Sequence, residues 1–277
     1  MSDLAAGQID SSSRKKTIHI FWLILSFSWM ILFNYLANAL PLNNYTTGAI
    51  SALYPNLFVP AGFTFSIWGI IYLLLIGWMV NAIIILRKND ILSFPWRHVR
   101  SLINPFYISC FLNGLWIFAW HYLQVGLSLF IMILLLVNLI ILYSRMQTYQ
   151  SAMTGWARIW LYHAFVVYLA WISVATIANT TALLVYIKWD GFGLDDQFWS
   201  CLMMSIALIL GFLMGYKRAE AAYVLVLAWA FYGIAKGQAL QSGTVSMFAY
   251  GCAAVSLLIA FIGLWKSGKK ASIDGVL

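Results

Sequence analysis

Long apolar runs, separated by short segments that carry lysine, arginine, glycine or proline, set the pattern of this chain. A hydrocarbon layer ~30 Å thick takes about 20 residues of helix to cross. Eight runs, uncharged but for Glu220 in the seventh, approach that length, at 17–40, 61–86, 105–123, 127–143, 159–187, 198–214, 219–235 and 244–264. They are apolar on every side and lack the two-residue alternation of a transmembrane strand, so the pattern predicts an all-α polytopic membrane helix bundle. The seventh run is short and follows the sixth closely.

The basic residues orient these spans. With a cytoplasmic N-terminus, the inner segments hold Arg14, Lys15, Lys16, Arg87, Lys88, Arg97, Arg100, Arg145, Arg158, Lys217, Arg218, Lys266, Lys269 and Lys270, leaving Lys188 and Lys236 outside. That split follows the positive-inside rule and suits an even number of spans, with both termini cytoplasmic. Residues 1–16 and 267–277 are polar and read as disordered cytoplasmic tails. The first run exceeds a signal-peptide core of about 7–15 residues, so it reads as a retained helix despite the small residues Ala37 and Ala39.

Composition agrees. Of 277 residues 63% are apolar and 9% charged, too little charge for a water-facing surface. The net charge of +8 is scattered over the short inner segments, which argues against a nucleic-acid face.

Chemistry is sparse. Cys110, Cys201 and Cys252 lie in different spans, and His19, His98, His121 and His163 have no i, i+3 or i+4 partner, so no metal site is expected. No catalytic acid–base or nucleophile pair stands out, and none is assigned. His163 falls inside the fifth span, where an ionisable group is a functional candidate; a neutral, hydrogen-bonded imidazole is the alternative. Glu220 opens the seventh run, where the helix macrodipole accounts for a carboxylate. Asp190, Asp195 and Asp196 read as a solvated outer loop or a weak cation site. Leu139, Tyr143 and Arg145 fit a loose sterol pattern, or equally an interfacial anchor.

Aromatic residues make up 17% of the chain. Trp96, Trp156, Trp189 and Trp265 fall at span ends and fit an interfacial belt. Others lie deeper, at helical spacing. Phe65, Trp68 and Tyr72 share one face of the second span; Asn113, Trp116 and Trp120 share one of the third; Tyr168, Trp171, Ala175 and Asn179 share one of the fifth. The stripes predict either plain bundle packing or a slot for a rigid planar ligand, lined by rings with amides at its polar edge.

At these residues the sequence resembles the TspO/MBR family, the tryptophan-rich sensory proteins and mitochondrial translocator proteins. The likeness rests on Pro60-Ala61-Gly62-Phe63-Thr64-Phe65 with Trp68 and Tyr72, on Leu112-Asn113 with Trp116, and on Tyr168-Leu169-Ala170-Trp171 with Ala175, Thr176 and Asn179. It covers residues 17–187, a five-helix module, and leaves three further helices over 188–266, as in longer bacterial relatives. Ala61 and Val167 stand where the family commonly has proline.

The resemblance implies an inter-helix pocket for a porphyrin or haem-type tetrapyrrole or a sterol-like lipid, with no obligatory cofactor. Its lining would be Pro60, Phe65, Trp68, Tyr72, Asn113, Trp116, Trp120, Tyr168, Trp171 and Asn179, covered by the loop 41–60. It further implies a sensory or regulatory role, commonly as a homodimer in a bacterial plasma membrane; the lack of an acid, base or metal constellation reads as non-enzymatic, with light- or oxygen-dependent porphyrin turnover as the alternative. Partners would be membrane lipids and the hydrophobic ligand, with no nucleic acid. A transporter using the same slot is the alternative.

Overall fold

The computed structural model describes residues 2–40, 42–88, 91–148 and 158–274, which form helices, turns and loops with no strand among them. The long helices are α1 (Ser2–Asn38), α3 (Ile67–Lys88), α4 (Phe94–His121), α5 (Val125–Gln147), α6 (Ala164–Tyr186), α7 (Asp196–Phe212), α8 (Ala221–Gln238) and α9 (Gly243–Asp274). A short helix, α2 (Thr47–Ala52), and a 3₁₀ turn (Gly62–Ser66) lie in the first long loop. One-turn π-helices precede α6 (Ile159–His163) and extend α7 (Leu213–Lys217).

Among the described residues seven helices are long and apolar enough to cross a membrane. Helix α8, on the seventh predicted span, is not among them. Its 18 residues would reach ~27 Å, and Lys236 and Gln238 lower its hydropathy. Most of α8 is buried against protein, so it has little need of a lipid-facing apolar surface. Short connections, 218–220 and 239–242, turn it back between α7 and α9.

Helix α6 is the hub. Nine consecutive residues, Ala164 to Ile172, are buried, so this helix is enclosed on every side. Helix α5 packs between α4 and α6, α1 lies against α4, and α8 lies against α6 and α9.

Three predicted boundaries shift. Helix α1 begins at Ser2 and α9 continues to Asp274, so helix replaces most of both tails expected to be disordered. No proline interrupts either segment, and each extends a helix already formed, so no new nucleus is required. Helix α4 begins at Phe94 rather than at residue 105: the Ser93 hydroxyl caps it and Pro95 fits its first turn. Pro105 lies inside the helix and lacks the N–H that would bond Ser101. The Arg145 guanidinium donates to the Ser101 carbonyl instead, at 2.7 Å, and the Asn138 amide donates to the Pro105 carbonyl at 2.8 Å.

Candidate functional site

The end of the bundle opposite Arg145, Lys217 and Arg218 holds an aromatic recess. Its walls are Phe65 from the 3₁₀ turn, Trp68 from α3, Trp116 and Trp120 from α4, and Trp171 and Asn179 from α6. Thr47, Ser51, Phe58 and Pro60 of the first loop close it on one side. The Trp68 ring centroid lies 6.4 Å from that of Trp116 and 6.2 Å from that of Trp171, the latter edge-on. Trp116 and Trp120 stack at 6.1 Å.

The donors are unevenly satisfied. The Trp120 indole N–H donates to the Thr47 carbonyl at 3.2 Å, and Asn179 pairs with the Ser128 hydroxyl at 3.2 Å. The indole N–H groups of Trp116 and Trp171, and the Thr47 hydroxyl, are buried with no partner. Most buried polar groups in proteins find one, so three such groups on one recess are unusual.

Seven of the ten residues singled out in the sequence therefore meet at the recess: Pro60, Phe65, Trp68, Trp116, Trp120, Trp171 and Asn179. Tyr72, Asn113 and Tyr168 do not line it. Each is the member of its stripe nearest the basic end, about one turn below the recess. Asn113 accepts from the Asn34 amide at 2.6 Å and donates to the Tyr168 hydroxyl at 3.0 Å. Its amide is thus committed to joining α1, α4 and α6. Tyr72 stacks on Trp68 at 5.5 Å.

The recess also has a wall that the stripes did not announce. Ala230 and Ile234 of α8 line it, and α8 holds the segment carrying Pro60. The Ala61 N–H donates to the Gly233 carbonyl at 2.9 Å, the Gln238 amide to the Val59 carbonyl at 2.8 Å, and the Trp229 indole to the Thr64 carbonyl at 2.9 Å. Gly233 and Gly237, one turn apart, make this approach feasible. A Cβ on Gly233 would collide with the Thr64 side chain, and one on Gly237 would sit 2.8 Å from the Ala61 nitrogen. The Gly-x-x-x-Gly spacing was the available signal.

Helix α8 is fixed at its other end by Glu220. The Glu220 side chain makes no cap hydrogen bond there and reaches across the bundle to partners that its place at a helix start did not announce. Its carboxylate oxygen Oε1 accepts from the Tyr143 hydroxyl at 3.0 Å, the Gln147 amide at 3.1 Å and the Tyr162 hydroxyl. Burial pushes the Glu220 carboxyl above its ordinary value; the three donors and the Arg158 charge pull the other way. Leu139 and Tyr143 are buried and Arg145 is spent on Ser101, so the sterol-like pattern presents no joint face to lipid.

His163 lies beside Tyr162, ring centroids 5.5 Å apart, with a buried Nδ1 that has no partner, and it does not line the recess. Cys110, Cys201 and Cys252 are free. Among the described residues no group of three His, Cys, Asp or Glu is placed to hold a metal. Of the expected belt, Trp96 is half-buried and Trp265 is exposed, while Trp189 packs on Trp199; Trp156 lies outside the described residues.

A family model described as TSPO-like protein matches residues 20–262. The chain belongs to this TSPO-like family. The match runs on through α7 and α8 and far into α9. No curated protein and no solved structure gives a significant match. Membership and the apolar helices make the chain an integral membrane protein.

Proposed function

We propose that this protein binds a planar, mostly apolar ligand, a tetrapyrrole or a sterol-like lipid, in the aromatic recess and serves a sensory or regulatory role. One observation carries the reading: Trp116 and Trp171 present rings to a shared recess while their indole N–H groups stay buried without acceptors. A flat ligand with a carbonyl, carboxylate or ring-nitrogen edge would stack on the rings and satisfy those donors. Asn179 and Thr47 would hold the same edge.

The recess encloses ≈ 50 Å³, against roughly 300–1,000 Å³ for an ordinary small-molecule site. Ligand entry therefore requires a wall to move. Residues 57–66 are the best candidate, since they lie outside the long helices and are held on α8 by hydrogen bonds at Ala61, Val59 and Thr64. Ligand binding would then alter how this segment grips α8, which supplies a route to a partner or to a second copy of the chain. The distribution of basic residues supports a cytoplasmic side for both termini, and the resemblance to longer bacterial relatives supports a bacterial plasma membrane.

The test is fluorescence titration of the purified protein with protoporphyrin IX. Saturable tryptophan quenching is expected, and the Trp68→Leu/Trp171→Leu variant should lose it. Absence of quenching by any tetrapyrrole or sterol removes the proposal.

A further inference from the structure

A second pocket, separate from the recess, lies where α6 gives way to α7. It encloses ≈ 160 Å³, the space of about five water molecules, which suits a compact group better than a polycycle. Trp189, Trp199, Asp190, Asp196, Ser200 and Asn56 line it.

The two indoles meet as a corner, with ring centroids 4.8 Å apart and planes at 62°. The Trp199 N–H donates to the Gly191 carbonyl at 2.9 Å, which fixes that ring and leaves its face free of this bond. Gly191 has φ +65°, so the turn that brings its carbonyl to Trp199 depends on a residue without a Cβ.

Two carboxylates stand on the same pocket. Asp195 is spent on capping α7, accepting from the Phe198 N–H at 2.7 Å. Asp190 accepts only from the Phe192 N–H, at 3.1 Å, and Asp196 makes no side-chain hydrogen bond; among the described residues neither has an ion-pair partner. Acidic residues alone would indicate nothing beyond a solvated loop. The independent observation is Ser200, which is 5% exposed, lines the pocket and has no hydrogen-bond partner among the described residues. No metal-type cluster forms there either.

Aromatic faces set at an angle, flanking carboxylates and one unpartnered hydroxyl on a buried serine suit a soft organic cation better than a metal ion. We propose that this pocket binds a small ammonium group, with Trp189 and Trp199 against its methyl or methylene shell, Asp190 and Asp196 balancing its charge, and Ser200 bonding a hydroxyl or N–H on the same molecule. The cation is either a soluble amine or the head group of a choline lipid; both share this chemistry. Asn56 places the pocket next to the segment that closes the recess, whose Phe58 N–H bonds the Asn56 side chain at 2.9 Å. The site does not depend on what the recess binds.

Isothermal titration calorimetry on the full chain in phosphatidylglycerol nanodiscs tests this. Choline and tetramethylammonium chlorides should give saturable heats that sodium chloride at equal ionic strength does not. The Asp190→Asn/Asp196→Asn variant should bind choline at least tenfold more weakly. Trp199→Leu should lose binding and Trp199→Phe retain most of it. Ser200→Ala should erase any preference for choline over tetramethylammonium. In phosphatidylcholine nanodiscs, suppressed heat identifies the lipid head group as occupant, and unchanged heat a soluble amine; either result supports the site. Unsaturable heat, an equal response to sodium, or full binding by the double Asn variant overturns it. That variant changes two exposed side chains, so its fold is checked by helical circular dichroism before titration.

Discussion

The backbone N–H of Ala61 donates to the backbone carbonyl of Gly233 at 2.9 Å, joining a loop ahead of α3 to a helix more than 170 residues later. Main chain meets main chain because Gly233 and Gly237 remove the side chains that would hold the two apart. The aromatic recess is therefore completed by α8 and is not the property of the first five long helices alone.

Gly237→Ala tests this junction. The added Cβ would lie 2.8 Å from the Ala61 nitrogen, 2.9 Å from the Val59 oxygen and 3.0 Å from the Pro60 carbonyl carbon, all main-chain atoms that cannot rotate away. The expected cost is about 1–3 kcal/mol, read as a lower Tm in detergent. Gly251→Ala, on an open face of α9, is the control and should be neutral or stabilise by about 0.5–1 kcal/mol.

Glu220 makes stability depend on pH. Its folded pKa lies above the ordinary 4.5, so the folded state holds that proton more tightly than the unfolded chain does. The contribution is fully present below pH 4.5 and is lost as pH rises through the raised folded value. Thermal melts from pH 4 upward should show this loss in the native protein and a flatter profile in Glu220→Gln. Glu220→Ala should do more harm, because Tyr143, Tyr162 and Gln147 lose their shared acceptor, at about 1–3 kcal/mol for each donor that stays buried.

The stripes of rings were legible in the sequence because a period of 3.6 fixes which residues share a face. Depth along that face was not. The stripes cover roughly 10 to 17 Å of helix, and the recess takes only the members at one end: Phe65 and Trp68 but not Tyr72, Trp116 and Trp120 but not Asn113, Trp171 and Asn179 but not Tyr168. The excluded three all lie toward the basic end, on α3, which runs toward that end, and on α4 and α6, which run away from it, and periodicity carries no such information. The partners of Glu220 were hidden for a related reason. Its place at a helix start is local, whereas Tyr143, Gln147 and Tyr162 reach it from 58 to 77 residues away. All eight long helices were legible from hydropathy, although α8, whose surroundings are mostly protein, is less apolar than a spanning helix.

Asn113 and Asn179 should behave differently, although the sequence assigns them the same task. Asn113→Leu leaves the Tyr168 hydroxyl and one Asn34 hydrogen bond unpaired inside the bundle, which should cost about 1–3 kcal/mol for each buried group left without a partner. Ligand affinity of the protein that remains folded should change little. Asn179→Ala should weaken tetrapyrrole binding with a smaller drop in Tm, since its amide lines the recess and shares a single hydroxyl with Ser128. Melting curves and quenching titrations on the same samples separate the two.

Trp116→Phe and Trp171→Phe keep a ring in the recess and remove an indole N–H that has no partner in the ligand-free protein. Stability should then hold or rise, because a buried donor without an acceptor is a cost that phenylalanine does not carry. Affinity should divide by ligand chemistry. A porphyrin with acceptor atoms at its edge should lose about 0.5–1.5 kcal/mol for each N–H removed, or roughly two- to twelvefold in Kd. A polycyclic hydrocarbon of similar outline has no acceptor to lose and should bind within a factor of a few of the native protein. If both ligands weaken equally, the indoles act through shape alone. If the porphyrin is unaffected while its quenching persists, its polar edge faces Thr47 and Asn179 and not the two tryptophans.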